Sequence, residues 1–239
     1  FQRTVLVNVP GFGSFDGYAN RDSLKYRSHY GIDHIPTLKR GTLRKAGFSI
    51  AWDTFVQLGC TDDSFIMELG PEATWSDYIN AFLPPSAGRD ARTNMAYYLN
   101  LNPEGDVLKK FDELRIFSPE RIGKSGLSPA GFLQLLLEQR WVLGPKDKDM
   151  VVMWHRFRYT LNEKSHEIHA SLAVIGQDQT YTAMAHTVGL PIAMACKLVL
   201  NDRITDRGVL LPLKPAIYDP VLDELEQNGV VFEEREVPA

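Results

Sequence analysis

The stretch around which this sequence is organised reads Gly11-Phe-Gly-Ser-Phe-Asp-Gly-Tyr-Ala-Asn-Arg-Asp-Ser23, and a shorter one, Gly41-Thr-Leu-Arg44, follows it. Both place glycines where a backbone turns sharply or lies close to another group. The first ends in a dense run of hydrogen-bonding side chains, Tyr18, Asn20, Arg21, Asp22 and Ser23, and the second adds Thr42 and Arg44. Such density beside an apolar run is typical of a site for a small, highly charged molecule. An ordinary turn followed by a helix cap explains the same residues, and composition alone favours this second interpretation.

The composition describes a chain with a sizeable core and no strong charge bias. Its 239 residues are 44% hydrophobic, enough for one large domain or two small ones. The formal net charge is −4, which argues against a dedicated nucleic-acid binder, because such a protein presents a basic face. No apolar run approaches the ~18 residues of a membrane-spanning helix. We therefore expect a cytoplasmic protein with neither nucleic acid nor membrane among its partners.

The cysteines and the first residue indicate the setting of the chain. Cys60 and Cys196 lie in apolar surroundings without the spacing of a zinc site or a redox motif. The sequence predicts buried, reduced thiols and leaves a single disulfide open. The chain begins at Phe1, on the approach to a strand and without an initiator methionine. We expect a fragment, so that function is shared with residues outside this sequence.

Strand and helix signals alternate at the N-terminal end. β-branched and apolar residues predict strands, while a cap residue, an amphipathic stripe and a final glycine predict helices. The predicted elements are strands over 3–9 and 34–43, a short helix to about 29 capped by Asp22 or Ser23, and a helix over 46–58 that ends at Gly59.

Residues 61–144 differ in character, because prolines separate short amphipathic segments with hardly any strand signal. The predicted helices cover about 74–82, 89–100, 105–114, 118–124 and 128–141. We expect an inserted all-helical subdomain in which the aromatic residues form the core, and we assign it no chemistry.

Strand character returns in the C-terminal part. Residues 149–161 and 166–175 alternate as the two arms of a hairpin. Residues 181–200 are apolar around almost the whole helical circumference, which predicts a buried helix with a kink near Gly189 and Pro191. A strand over 208–213, a helix over 215–227 and a strand over 230–234 follow. The sequence thus predicts an α+β fold, a mixed sheet with helices on one side formed by 1–60 and 145–239, with 61–144 inserted.

Three short motifs fail on spacing or context. Gly11–Gly17 reads G-x-G-x-x-x-G, one residue too long for the dinucleotide fingerprint, and no buried apolar helix follows it. Arg121–Ser125 ends like a P-loop, but Ser118 stands in the place of the leading glycine. His166 and His169 would point to opposite faces of a strand, which argues against a shared metal ion. We predict no metal site.

Longer motifs in two regions carry a stronger signal. They are Gly17-Tyr-Ala-Asn-Arg-Asp-Ser23, Arg40-Gly-Thr-Leu-Arg-Lys-Ala-Gly-Phe48, Lys148-Asp-Met-Val-Val-Met153, the run from Gln179 to Ala195, and the run from Ile217 to Leu225. In this order they resemble the substrate-binding part of glutamate-forming saccharopine dehydrogenase (saccharopine reductase). The dehydrogenase half of the bifunctional lysine-ketoglutarate reductase/saccharopine dehydrogenases is particularly similar. The helical middle resembles the family in position and character only.

The resemblance implies a division of labour between domains. In this family an N-terminal Rossmann domain binds NAD or NADP, and the domains that this chain resembles, including saccharopine-reductase domain II, bind saccharopine. The implied reaction of lysine metabolism is the oxidation of saccharopine with NAD(P) to glutamate and 2-aminoadipate 6-semialdehyde, or its reverse. The cofactor would be held mainly by a domain outside this sequence. The resemblance further implies a homodimer and an isolated chain without dehydrogenase activity.

The resemblance also implies substrate contacts. Saccharopine carries three carboxylates, and guanidinium groups bind carboxylates bidentately. The family's contacts, carried over onto the matching motifs, are Arg21, Thr42, Leu43 and Arg44, with Tyr18, Asn20 and Ser23 as neighbours. For Arg21, the alternative is a surface ion pair with Asp22 or Asp16, worth about 0–1 kcal/mol.

Other candidate residues remain open. Gln177 and Thr180 begin the predicted buried helix, where free amides would attract a carboxylate or the cofactor's phosphates, and an N-cap by Thr180 is an equal alternative. His155 or His186 would assist proton transfer to the amine, although packing explains both better, and we assign no catalytic residue. Two other functions stay open: an amine dehydrogenase like those that make carboxynorspermidine, and a non-catalytic ligand-binding or dimerisation module of the same family.

Overall fold

The computed structural model describes residues 1–20, 22–86 and 88–238. Its strands are β1 (Thr4–Val9), β2 (Gly13–Ala19), β3 (Gly41–Lys45), β4 (Met150–Leu161), β5 (Lys164–Ile175) and β6 (Glu233–Val237). They form two three-stranded sheets, in the orders β1-β2-β3 and β4-β5-β6. The α+β prediction is confirmed, and the structure distributes the strands over two sheets.

The α-helices are α1 (Phe48–Leu58), α2 (Trp75–Asn80), α3 (Ala91–Tyr98), α4 (Asp106–Glu113), α5 (Pro129–Arg140), α6 (Leu190–Leu200) and α7 (Pro215–Gln227). A 3₁₀ turn, Leu24–Tyr26, and a π-helical turn, Ala185–Gly189, complete the set. The helices predicted over 46–58, 74–82, 89–100, 105–114, 128–141 and 215–227 are therefore confirmed within a few residues at each end.

The chain divides into two compact units. The helical unit comprises Phe1–Val7, Ser14–Tyr18 and Arg44–Val142, and the hairpin unit comprises Asn8–Gly13, Ala19–Leu43 and Leu143–Ala239. The domain boundaries predicted from the sequence, 1–60 with 145–239 and 61–144, stay a prediction.

The helical unit is built around a core of large side chains on α1, α2, α4 and α5. Trp75, Tyr78, Phe111 and Phe132 are at most 1% exposed, as the amphipathic spacing predicts. Tyr78 keeps its hydroxyl satisfied by donating to the carbonyl of Pro129, at 2.9 Å. This bond joins α2 to α5. Because the aromatic side chains are buried in the core, their role here is packing.

Residues 118–124, all of them described, form no helix, so the prediction there is wrong. This segment instead serves the N-terminal end of α2. The carbonyls of Ser118 and Glu120 accept hydrogen bonds from the amides of Ser76 and Trp75, and the amide of Ile122 donates to Ala73. The first amides of a helix lack partners within the helix. Here the segment 118–124 supplies the carbonyls that accept from them.

The long hairpin of the second unit confirms the predicted alternation. β4 and β5 pair antiparallel from Met150 opposite Ile175 to Leu161 opposite Lys164. The turn between them uses Asn162 and Glu163 at φ values of 50° and 62°, which is the geometry of a tight two-residue hairpin turn.

Several strand predictions are wrong. Residues 13–19, where no strand was predicted, form β2, while residues 34–40 form no strand and only 41–45 pair as β3. The loop before β3 has its own support, because the Arg27 guanidinium donates to the carbonyl of Pro36 at 3.0 Å. Residues 208–213 contain no strand, and Val209 is fully exposed. The last strand begins at 233 rather than 230.

The apolar segment 181–200 differs from the predicted buried helix. Its irregular part is the π-helical turn, which ends at Gly189 and is followed by Pro191 in the first turn of α6. Met194 and Leu198 are buried, whereas Ile192 is 61% and Leu200 is 82% exposed. An apolar circumference therefore does not bury this helix: one stripe packs and another faces outward.

The two thiols have different environments. Cys60 is buried and Cys196 is exposed, and both are free. The prediction of buried thiols thus holds for Cys60 and is wrong for Cys196. Among the helices of the described ranges, none combines the length and the apolar character needed to cross a membrane.

Candidate functional site

The glycines at the start of the first motif serve a turn. Gly11 and Gly13 have φ values of 78° and 89°, and the Phe12 amide donates to the Val9 carbonyl at 3.0 Å. A Cβ at either glycine would meet no atom within 4 Å. The left-handed backbone that joins β1 to β2 therefore explains these glycines. No other group lies close enough to require them.

Asp16 is the most important side chain of this stretch that sequence reasoning missed. One of its carboxylate oxygens accepts hydrogen bonds from the amides of Gly47 and Ser49, each at 3.0 Å. Gly47, the N-cap position of α1, has no side chain to do this. Asp16 therefore caps α1 from a different strand and fixes the chain directly after the second motif. The sequence had suggested only an ion pair with Arg21.

The structure brings part of the two motifs together. The Asn20 amide donates to the Arg40 carbonyl at 3.0 Å, and the Arg40 amide donates to the Ser23 hydroxyl at 2.9 Å. Ser23 is buried, and the Arg40 guanidinium lies 4.4 Å from the centre of the Tyr26 ring. Ser23 thus connects the first motif to the residue that precedes Gly41-Thr-Leu-Arg44. Of the two predicted caps, Asp22 makes the hydrogen bond: its carboxylate accepts from the Leu24 amide at 2.9 Å, whereas the Ser23 side chain does not cap the turn.

The second motif lies on β3. Thr42 and Leu43 are half-buried, while Arg44 is exposed with its guanidinium carbon 5.7 Å from the centre of the Phe48 ring. In the described part of the chain, no carboxylate pairs with Arg44. Tyr18 packs edge-on against Phe1, at 4.9 Å between ring centres. The structure therefore presents Arg44 as a guanidinium available to an anion.

The remaining predicted contact, Arg21, lies outside the described residues. Its assignment rests on the motif that it shares with Asn20 and Ser23.

The amides near the predicted cofactor residues already have carboxylate partners. Those of Thr180 and Tyr181 both donate to Asp178 at 2.7 Å. The next helical turn is capped by Asp149, which accepts from Ala183 at 2.7 Å and Met184 at 3.0 Å. The side chains of Gln177 and Thr180 are exposed.

These bonds have two consequences. Internal carboxylates occupy the amide positions at which an anion would bind. The cap of this segment is provided by Asp149, and by Thr182 to the amide of Ala185 at 2.9 Å, rather than by Thr180. Asp149 was the second helix cap that sequence reasoning missed.

Of the histidines considered for proton transfer, His155 is exposed beside aromatic rings and His186 is half-buried. The ring of His155 stacks on Phe157 at 6.0 Å and lies 5.4 Å from Phe232. Desolvation lowers the pKa of His155, which favours the neutral ring near pH 7. His186 is half-buried in the π-helical turn. For His155, the structure shows ring contacts with Phe157 and Phe232.

His166 and His169 lie on opposite faces of β5 and have different partners. His166 pairs with Glu236 at 2.8 Å and His169 with Glu167 at 2.6 Å. Two hydrogen bonds lower the pKa of Glu167: the one from Arg158 has the larger effect, and the one from His169 adds to it. Within the described ranges, no three side chains of His, Cys, Asp or Glu are grouped to hold a metal ion.

The comparisons with known proteins show the family to which this fold and these motifs belong. The family model "Saccharopine dehydrogenase C-terminal domain" matches residues 1–230. The chain therefore belongs to this family of oxidoreductases of lysine metabolism, and the resemblance read from the sequence is confirmed.

Individual relatives agree with this assignment. The mitochondrial alpha-aminoadipic semialdehyde synthase of Rattus norvegicus is 33% identical over 235 residues, which covers 96% of this chain and 25% of that protein. Saccharopine dehydrogenase [NADP(+), L-glutamate-forming] of Saccharomyces cerevisiae is 30% identical over 235 residues, covering 95% of this chain and 52% of the relative.

A solved structure supports the same fold. Apo saccharopine dehydrogenase (L-Glu forming) from Saccharomyces cerevisiae matches with a TM-score of 0.84 at 26% identity, over 99% of this chain and 55% of that one. The present chain thus spans about a quarter to about half of the relatives that it matches.

Proposed function

We propose that this chain is the substrate-binding portion of an enzyme that oxidises saccharopine with NAD or NADP. The products are glutamate and 2-aminoadipate 6-semialdehyde, and the reverse reaction uses the same site. Family membership over residues 1–230 supports the class of reaction. The observation that carries the binding role is Arg44, an exposed guanidinium that no carboxylate pairs with in the described ranges.

Substrate charge explains why this residue matters. Each of the three carboxylates needs charge-assisted donors, and a guanidinium offers two in parallel. We assign Arg44 and Arg21 to two of these carboxylates, with Thr42 and Leu43 beside Arg44 on β3. Tyr18 and Asn20 are proposed neighbours of Arg21.

Ser23 has a supporting part in this proposal. Its buried hydroxyl accepts the Arg40 amide hydrogen bond, so it orders the backbone of both motifs. Asp16 orders the backbone that follows Arg44 in the sequence, because its carboxylate accepts from the amides of Gly47 and Ser49.

The reaction removes a hydride from the carbon beside the secondary amine, and water then hydrolyses the resulting imine. The nicotinamide cofactor supplies the hydride acceptor. The residues of this chain do not fit its pyrophosphate: the G-x-G-x-x-x-G spacing is wrong, and the amides of Thr180, Tyr181 and Ala183 already donate to Asp178 and Asp149. We therefore place the cofactor on a Rossmann domain outside this sequence and derive no step through it here.

We further propose that the full-length enzyme is a homodimer. Exposed apolar side chains on β4 support an interface, since Met153 is 44%, Phe157 53% and Tyr159 42% exposed. Patches of this kind on a protein surface mark contacts with other chains.

The test is an activity assay on two forms of the protein. We expect the full-length protein to oxidise saccharopine with NAD or NADP, and the present 239-residue chain to show no turnover. Turnover by the isolated chain would contradict the division of labour. Oxidation of carboxynorspermidine in preference to saccharopine would overturn the substrate assignment.

A further inference from the structure

A cavity of about 390 Å³ lies within the helical unit, in the part of the structure to which the sequence assigned no chemistry. Its lining does not include Tyr18, Thr42, Leu43 or Arg44. The volume falls within the range of small-molecule pockets, roughly 300–1,000 Å³.

Five of the twelve lining residues are aromatic. Phe48 and Trp52 of α1 stack at 5.6 Å with 14° between their planes, and Phe55 lies 4.5 Å from Phe111 of α4. Trp141, after α5, also lines the cavity and is 57% exposed. Such faces favour a planar, apolar body in the cavity, because offset aromatic contacts add to the free energy of area burial.

The charged groups of the lining are mainly cationic. Lys45, Lys110 and Arg140 contribute ammonium or guanidinium groups, against the single carboxylate of Glu113. Lys110 is half-buried, and among the described residues no carboxylate pairs with it.

Arg140 carries an unused donor. Its Nη2 donates to Glu120 at 2.6 Å. Its Nε is buried and has no hydrogen-bond acceptor in the described part of the chain. A buried donor without an acceptor is costly, so the guanidinium of Arg140 is incompletely satisfied within the described part of the chain.

We propose that this cavity binds a small aromatic carboxylate. The ring packs against the aromatic wall that includes Phe48, Trp52 and Trp141, while the carboxylate pairs with the guanidinium of Arg140 and the ammonium of Lys110. Saccharopine does not fit this description, because it is aliphatic and carries three carboxylates. The lining includes none of the proposed substrate contacts, although the guanidinium of Arg44 lies 5.7 Å from the centre of the Phe48 ring, and the proposal does not depend on them.

Isothermal titration of this chain with 1-naphthoate, and with the uncharged 1-naphthalenemethanol, tests the proposal. We expect saturable one-site binding of the carboxylate, with the alcohol at least about tenfold weaker, since a hydrogen bond to a charged group is lost. Arg140→Gln should weaken 1-naphthoate by about tenfold. The matched control is Arg121→Gln, which removes an exposed arginine of the same unit that pairs with Glu72 at 2.7 Å, and it should leave the affinity unchanged.

A second variant locates the site without touching Arg140. Ala46 lines the cavity and is exposed, so Ala46→Trp fills the space while keeping the folded core. It should abolish the binding of 1-naphthoate, and circular dichroism should show an unchanged helix content. The proposal is overturned by the absence of binding at millimolar 1-naphthoate, by equal affinity for the alcohol, or by unchanged binding in the folded Ala46→Trp protein.

Discussion

The carboxylate of Asp16 accepts a 3.0 Å hydrogen bond from the backbone amide of Ser49, across 33 positions of the sequence. The same oxygen also accepts from Gly47. One side chain of β2 thus fixes the first turn of α1 and the residues that follow Arg44. The backbone geometry of the proposed substrate contacts depends on this cap.

Removing the cap should therefore affect both stability and binding. We expect Asp16→Ala to lower the free energy of unfolding by about 0.5–2 kcal/mol, the cost of losing an N-cap. Asp16→Asn keeps an acceptor oxygen and should cost less. Urea denaturation measures both. Asp33→Ala, at an exposed position, is the control, and an equal loss in Asp16→Ala and Asp33→Ala would contradict the capping role.

Gly176 has no room for a side chain. An added Cβ would overlap the Asp149 carboxylate and lie 2.9 Å from the Ala183 nitrogen, so Gly176→Ala must displace the cap of the following helical segment. We expect a loss of about 1–3 kcal/mol in thermal or urea unfolding.

Gly189 supplies the matched control for this substitution. It lies in the π-helical turn with φ of −71°, and a Cβ there would meet nothing within 4 Å. Gly189→Ala should be neutral or stabilising by up to about 1 kcal/mol. Similar unfolding free energies for the two variants would show that the Asp149 cap is unimportant.

The two cysteines should differ sharply in reactivity. Desolvation by burial raises the pKa of the Cys60 thiol to about 12, whereas Cys196 is exposed. The thiolate is the reactive form, so a disulfide reagent such as Ellman's should modify one thiol in the native protein and both in urea. Native Cys196→Ser should be unreactive. Rapid modification of two thiols in the native state would contradict the burial of Cys60.

Acid sensitivity should depend in part on Glu167. Arg158 and then His169 lower the pKa of its carboxyl by hydrogen bonding. A lowered folded-state pKa means that the unfolded state binds the proton more readily. The stabilisation is therefore present above the unfolded value of about 4.3 and is lost as the pH falls through the folded value.

Glu167→Gln tests this linkage. The wild-type protein should lose more stability between pH 7 and pH 3 than the variant does, as measured by urea unfolding at each pH. Glu163→Gln, in the exposed hairpin turn, should keep the wild-type pH dependence. The same pH dependence in Glu167→Gln and wild-type protein would contradict the assignment.

Local patterns predicted the elements whose stability is largely local. The stripe from Phe48 to Leu58 with Gly59 behind it predicted α1, and alternation over 149–175 predicted the hairpin. β2 was missed because Gly13, Asp16 and Gly17 are typical turn residues, and its strand conformation depends on pairing with other strands. Residues 118–124 failed for a similar reason, since their carbonyls accept from α2.

The candidate site shows the same difference between features set by local sequence and features set by long-range contacts. Motif resemblance identified the family, and the assignment of Arg44 stays a prediction. The two caps could not be predicted, because Asp16 and Asp149 accept from amides 31 to 35 positions away. The cavity beside α1, α4 and α5 was missed for the same reason: its aromatic residues carry the helical spacing of an ordinary core, and only the three-dimensional arrangement shows the space between them.

The most direct test of the central claim is the affinity of the full-length protein for saccharopine, measured by isothermal titration for wild type and Arg44→Ala. The proposed carboxylate contact predicts at least about a tenfold weaker affinity in Arg44→Ala, because a charge-assisted hydrogen bond is lost. The control Arg121→Ala should bind like the wild type. Equal saccharopine affinity in Arg44→Ala and wild-type protein would contradict the proposal.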